Sequence, residues 1–164
     1  MDICLIWAHA RKPLAARSDS ASWLGAEDLR RFQSVAGRHP VVMGYRTWEA
    51  APRALLEGRQ TFVLTQRKTS IPGAIACTSL HEAFTLASVL RSGKLFLLGG
   101  ATVLQQGLRV ADRVYVAQLD AEIDAEDDSA PAIDTRLFEP VLADPTSNVA
   151  AWRRVQEYRR RPLH

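Results

Sequence analysis

Apolar residues fall in short unbroken runs separated by polar or glycine-containing stretches, a pattern that predicts buried strands alternating with amphipathic helices. Residues 3–8 open the chain as a continuous apolar run, which suits a central strand covered on both faces. Residues 11–22 mix Arg, Lys, Pro, Ala, Ser and Asp without a period and predict a long loop of the kind that serves as a lid. Leu29, Phe32 and Val35 then recur at helical spacing, predicting a helix over 26–35 that Gly37 ends. Strands are predicted at 41–43, 61–65, 74–77, 94–98 and 113–119, and helices at 47–51 and 101–109. Ser79 stands three residues before Glu82 in capping-box spacing and predicts a helix running to about residue 90. A long excursion containing the acidic stretch 124–128 is followed by a predicted final strand pair around 151–160. Alternation of strands and helices implies a largely parallel α/β sheet.

The length of 164 residues, with 47% hydrophobic and 24% charged residues, suits one domain over 1–164 with a sizeable core. The net charge of +3 owes much to Arg153, Arg154, Arg159, Arg160 and Arg161 rather than to a stripe interleaved with aromatics. An anionic small molecule is therefore expected as partner, and no nucleic acid. Cys4 and Cys77 each lie inside an apolar run, which fits buried thiols in a reducing compartment, and no metal-binding signature is present. No basic leader and no long apolar span stands out, so a cytoplasmic protein that does not enter a membrane is expected.

Two segments carry possible phosphate chemistry. Met43-Gly44-Tyr45-Arg46-Thr47-Trp48 and Leu97-Leu98-Gly99-Gly100-Ala101 each run an apolar strand into glycine and then a helix. Ligands of a parallel sheet gather at such strand ends, where helix N-termini point free N–H groups, and missing side chains allow close approach. With no G-x-G-x-x-G or Walker loop in the chain, the pair suggests a dinucleotide held otherwise than in a Rossmann protein. Asp28 allows two readings. It could stabilise the helix dipole by ~0.3–1 kcal/mol, a task Glu27 could share, or it could be a desolvated carboxylate beside Leu29 and Phe32 that pairs with planar N–H donors.

Taken in order, Trp23, Asp28 and Phe32, Val41-Val42-Met43-Gly44 with Thr47-Trp48, Leu56-Glu57-Gly58-Arg59, Val63-Leu64-Thr65 and Leu98-Gly99-Gly100 make the chain resemble bacterial dihydrofolate reductases over nearly its whole length. Leu5-Ile6-Trp7-Ala8 and Ser129-Ala130-Pro131-Ala132-Ile133-Asp134 are most similar to the actinobacterial branch. The resemblance implies an α/β fold with a mixed, mainly parallel central sheet, flanking helices and a C-terminal antiparallel strand pair. It also implies a cytoplasmic monomer that binds dihydrofolate and antifolate-type inhibitors and uses NADPH for hydride transfer to the pterin.

Under that resemblance Asp28 matches the acid that fixes the pterin amino group and ring N–H. Leu29, Phe32 and Leu56 match residues packing on the pterin and benzoyl rings, and Arg59 the arginine pairing with the glutamate α-carboxylate. Ile6 and Leu98 fall where backbone carbonyls accept pterin hydrogens, with Trp7 beside them as a core side chain and Ala8 next to the nicotinamide. Gly44, Arg46, Thr47, Gly99, Gly100, Ala101 and Thr102 match cofactor contacts, the Gly99–Gly100 peptide being cis in the family, while Thr65 and Arg67 match the side facing the adenosine 2′-phosphate.

The chain departs from the family pattern at several points. In the loop 9–22, Ala15-Ala16 and Ala21-Ser22 stand where Ile-Gly and an apolar residue with Pro are usual. Leu104 replaces a tyrosine near the nicotinamide, Ala117 a threonine that hydrogen-bonds the acid, Tyr45 an arginine on a cofactor phosphate, and Ala50 a small hydroxyl residue. Two other readings follow: a same-fold reductase of another heterocycle, as in pyrimidine reductases, which Asp28 and Arg59 oppose, and a binding homologue without turnover, which Leu104 and Ala117 favour.

Overall fold

The computed structural model describes residues 1–10, 26–119, 132–142 and 155–163, with the backbone alone at 8–10, 26–29, 31 and 117–119. In chain order the elements are β1 (Asp2–Ala10), α1 (Ala26–Ala36), β2 (Val41–Gly44), α2 (Tyr45–Ala50), α3 (Arg53–Leu56), β3 (Thr61–Leu64), β4 (Ile75–Cys77), α4 (Leu80–Ser88), β5 (Lys94–Leu97), α5 (Ala101–Leu108), β6 (Arg113–Leu119), β7 (Phe138–Pro140) and β8 (Val155–Arg160). The loop 11–22, Trp23, the acidic stretch 124–128 and Ser129-Ala130-Pro131 lie outside the described residues.

One eight-stranded sheet runs in the order β4-β3-β2-β5-β1-β6-β8-β7. All pairings from β4 to β6 are parallel, and β8 pairs antiparallel with both β6 and β7. The mainly parallel α/β sheet with an antiparallel C-terminal pair is therefore the observed fold. In one detail the expectation is corrected: among the described residues, Val155–Arg160 forms β8, and its pair partner towards the sheet edge is the earlier segment Phe138–Pro140. A second correction is α3, which follows Pro52. That proline ends α2 and also starts a new turn, because Leu55 N donates to Pro52 O at 3.0 Å.

Period-two alternation explains why the strands read as continuous apolar runs. Cys4, Ile6, Val41, Met43, Val63, Phe96, Leu98 and Tyr115 face Phe32 and Ala36 of α1 and Leu55 of α3. Leu5, Trp7, Val42, Phe62, Leu95, Leu97, Val114 and Val116 face Leu80, Ala83 and Ala87 of α4 and Val103 and Leu104 of α5. Both thiols are buried and free, and burial pushes Cys4 up to about 12 and Cys77 to about 11. Ser79 caps α4, its Oγ accepting from Glu82 N at 3.1 Å. The return bond of the box closes one residue early: the Glu82 carboxylate accepts from Thr78 N at 2.7 Å and holds its own pKa down by doing so.

The arginine-rich C-terminus is part of the scaffold. Arg160 donates to Ala111 O and Leu108 O, each at 2.6 Å, and lies over Phe138, tying β8 to the end of α5 and to β7. Arg161 pairs with Glu139 at 3.0 Å. Among the described residues no helix is long and apolar enough to cross a membrane.

Helix α5 lies close to the sheet at Gly107. A Cβ built there would meet Leu97 Cδ1 at 2.6 Å and Leu5 Cδ1 at 3.1 Å. Gly107→Val is expected to lower stability by about 1–3 kcal/mol, because overpacking outweighs the better helix propensity of valine. An unchanged thermal midpoint would show that Leu5 and Leu97 can swing clear.

Candidate functional site

The carboxyl ends of β1, β2, β3 and β5 lie side by side, and most of the sequence-predicted site residues belong to them or to the turns that follow. The ladder between β2 and β5 continues past the strands. Leu98 N donates to Val42 O at 2.9 Å and Gly44 N to Gly99 O at 2.8 Å. The two glycine junctions, expected as separate phosphate cradles, are thus one structure. The Gly99–Gly100 peptide is cis, and Gly99 has a φ of +118°, a conformation open to glycine and little else.

Gly44 and Gly100 have φ of −71° and −66°, which any residue adopts, so what glycine provides at these two positions is room. A Cβ on Gly44 would lie 3.6 Å from Gly100 N, and one on Gly100 would lie 3.8 Å from Thr47 Oγ1, filling the cradle without clashing with the protein. Gly44 caps α2 and Gly100 caps α5 with no side-chain hydrogen bond at either end. Those first-turn N–H groups face the cradle uncapped, an arrangement that receives an anion. Thr47 is buried at its wall, Ala101 is half-buried in the first turn of α5, and Thr102 and Arg46 are exposed.

The turn after β3 is braced from three sides. Thr65 N donates to Cys77 O at 2.9 Å, Gln66 Nε2 to Thr78 O at 2.8 Å, and Arg67 N to Thr65 Oγ1 at 3.1 Å. The Arg67 guanidinium lies 5.4 Å from the centroid of the Tyr45 ring, which in turn stands 5.7 Å from Trp48. Sequence reasoning treated Tyr45 only as a missing arginine. Its contact with Arg67 spans two strands and leaves no local signal.

A second surface begins on the α1 side of the sheet. Phe32, Ile6 and Leu98 are buried in one cluster, with Leu56 packed at its margin. Arg59 lies over the Phe32 ring at 5.1 Å, half-buried, with Nε and Nη1 shielded from solvent and without a hydrogen-bond partner among the described residues. Burial lowers its pKa. Asp28 and Leu29 sit in the first turn of α1, with Asp28 four residues before Phe32; their side chains, like that of Ala8, lie outside the described residues.

Trp7 is brought elsewhere. Its indole packs on the α4–α5 side with Leu104 and Val116, while Ile6 beside it faces α1, so a pocket on the Phe32 side has no wall from the Trp7 side chain. Leu104 is 1% exposed in that same apolar core, a setting without the phenol usual in the family. Ala117 stands between Ala8 of β1 and Val155 of β8.

A family model for dihydrofolate reductase matches residues 2–157. A dihydrofolate reductase of Mycobacterium leprae is 33% identical over 135 residues, covering 79% of this chain and 81% of that protein. One from Mycobacterium tuberculosis (strain CDC 1551 / Oshkosh) is 33% identical over 135 residues, 79% of this chain and 80% of its own. The dihydrofolate reductase type 3 of Salmonella typhimurium is 32% identical over 126 residues, covering 77% and 76%. With a match along nearly all of its length and a sheet that joins two glycine turns into one cradle, the chain belongs to the dihydrofolate reductase family.

Proposed function

We propose that this protein reduces 7,8-dihydrofolate to tetrahydrofolate with NADPH. The observation that carries the reading is Arg59. A guanidinium with two shielded nitrogens that find no hydrogen bond among the described residues is costly to keep, and the cost is offset when a carboxylate forks onto it. Its place over Phe32, a member of the cluster that holds Ile6 and Leu98, supports a ligand whose flat apolar body covers that cluster and whose carboxylate reaches Arg59.

In this reading Asp28 accepts from the 2-amino group and ring N–H of the pterin, so that the ring enters in one orientation and the neighbouring nitrogen is favoured for protonation by water. The one amino hydrogen that Asp28 leaves would be taken by a backbone carbonyl, that of Ile6 or of Leu98. Phe32, Leu29 and Leu56 cover the aromatic rings, excluding water from their faces. NADPH, when bound, supplies the hydride. Gly44, Arg46, Thr47, Gly99, Gly100, Ala101 and Thr102 would hold its phosphates, Thr65 and Arg67 its adenosine end, and Ala8 would lie against its nicotinamide.

The test is loss of reduced-nicotinamide absorbance on mixing folded protein, NADPH and dihydrofolate, against blanks lacking each. No substrate-dependent oxidation would sink the reading. One observation favours a second reading, that of a binder without turnover: Leu104, at the position where the family resemblance implies a tyrosine, is an apolar side chain buried in the core. Binding of both ligands without oxidation would identify it.

The cradle gives a separate expectation. Gly100→Ala should melt like the parent protein, since its Cβ meets only Thr47 Oγ1 at 3.8 Å, yet weaken NADPH binding about tenfold by occupying the space of a phosphate oxygen. Unchanged affinity by fluorescence titration would place the phosphates elsewhere.

A further inference from the structure

We infer that Tyr45 is the positioning residue for cofactor selectivity: its ring holds the Arg67 guanidinium where an adenosine 2′-phosphate arrives, so the aromatic at this position supports the charge that an arginine would otherwise provide. The inference rests on the proposed use of NADPH.

Four observations support it. Arg67 is the first cation past the carboxyl end of β3, and its backbone is fixed by the Thr65 hydroxyl on one side and by Thr69 N, which donates to Arg67 O at 2.9 Å, on the other. Gln66, between them, spends its amide N–H on Thr78 O, so Arg67 is the exposed cation of this turn that rests on the Tyr45 ring. Tyr45 is the first residue of α2, directly after the cradle glycine Gly44, so the ring connects the phosphate cradle with the β3 turn. Finally, Tyr45 is itself braced by Trp48, which carries Arg53 over its ring at 5.8 Å. A long exposed side chain left free would lose rotamer entropy on meeting a phosphate; resting on a braced ring, Arg67 gives up less.

The test reads binding rather than turnover. Dissociation constants for adenosine 2′,5′-bisphosphate and for ADP are measured by calorimetry on the intact protein and on Tyr45→Phe, Tyr45→Leu, Arg67→Ala and the Leu/Ala double variant. Arg67→Ala is expected to reduce the preference for the 2′-phosphate about 10-fold or more. Tyr45→Leu, which retains apolar packing against Trp48, should reduce it about two- to fivefold, Tyr45→Phe should preserve it, and the double variant should be no worse than Arg67→Ala. Arg46→Ala should weaken both ligands alike. A Tyr45→Leu variant with undiminished preference, or losses that add in the double variant, would overturn the inference while leaving the functional reading intact. An intact protein that binds neither bisphosphate nor NADPH would overturn both.

Discussion

Asp28→Asn is expected to reduce kcat/KM for dihydrofolate by about 10²–10⁴-fold while shifting the thermal midpoint little. Asparagine keeps the shape of the side chain but has one acceptor oxygen and no charge, so it cannot receive two parallel N–H bonds from the pterin. The position supports the assignment: Asp28 lies in the first turn of α1, one turn before Phe32, whose ring is buried with Ile6 and Leu98. If Asp28 only complements the helix dipole, the substitution would cost about 0.3–1 kcal/mol of stability and leave turnover alone. Glu27→Gln serves as the comparison, since Glu27 shares the dipole role but not the pterin. Steady-state rates with thermal melts on both variants separate the two cases, and Asp28→Asn activity within tenfold of the parent would remove Asp28 from the site.

Arg59→Met should act in opposite directions on function and on stability. The KM for dihydrofolate is expected to rise about 10–100-fold with kcat nearly unchanged, because a remote charge-assisted fork contributes to ground state and transition state alike. The midpoint should hold or rise by a few degrees, since the substitution removes a half-buried cation whose Nε and Nη1 lack partners and keeps an apolar chain against Phe32. 6-Methyl-7,8-dihydropterin, which carries no carboxylate, supplies the control: the variant and the parent should bind it equally. A drop in the midpoint together with equal KM values would mean that Arg59 is structural.

Much of the sheet could be read from the chain because each strand carries its signal locally. The runs at 3–8, 41–43, 61–65 and 94–98 matched β1, β2, β3 and β5 within two residues at each end. What escaped was short or non-local. Four-residue α3 has no period to detect, and three-residue β7 is defined by pairing with β8, where Phe138 lies opposite Arg160. The candidate site shows the same division. Glycine junctions were visible one at a time, but their union depends on Gly44 N reaching Gly99 O, a contact no window along the sequence contains. The opposed faces of Ile6 and Trp7 did follow from strand alternation, a signal within reach of the sequence. The unmet hydrogen bonds of Arg59 and the support of Arg67 by Tyr45 depend on neighbours that only the fold supplies.

The strand order also bears on how the molecule comes into being. β1 precedes the other described strands in chain order, yet both of its neighbours come much later, at Lys94–Leu97 and Arg113–Leu119. A growing polypeptide therefore carries this apolar strand with two open edges until β5 has been made, and only the insertion of β5 between β2 and β1 joins the early strands into a sheet. Such long-range closure slows folding and leaves edges exposed to other chains. Between the emergence of β1 and that of β6, the chain passes through an interval in which self-association competes with folding.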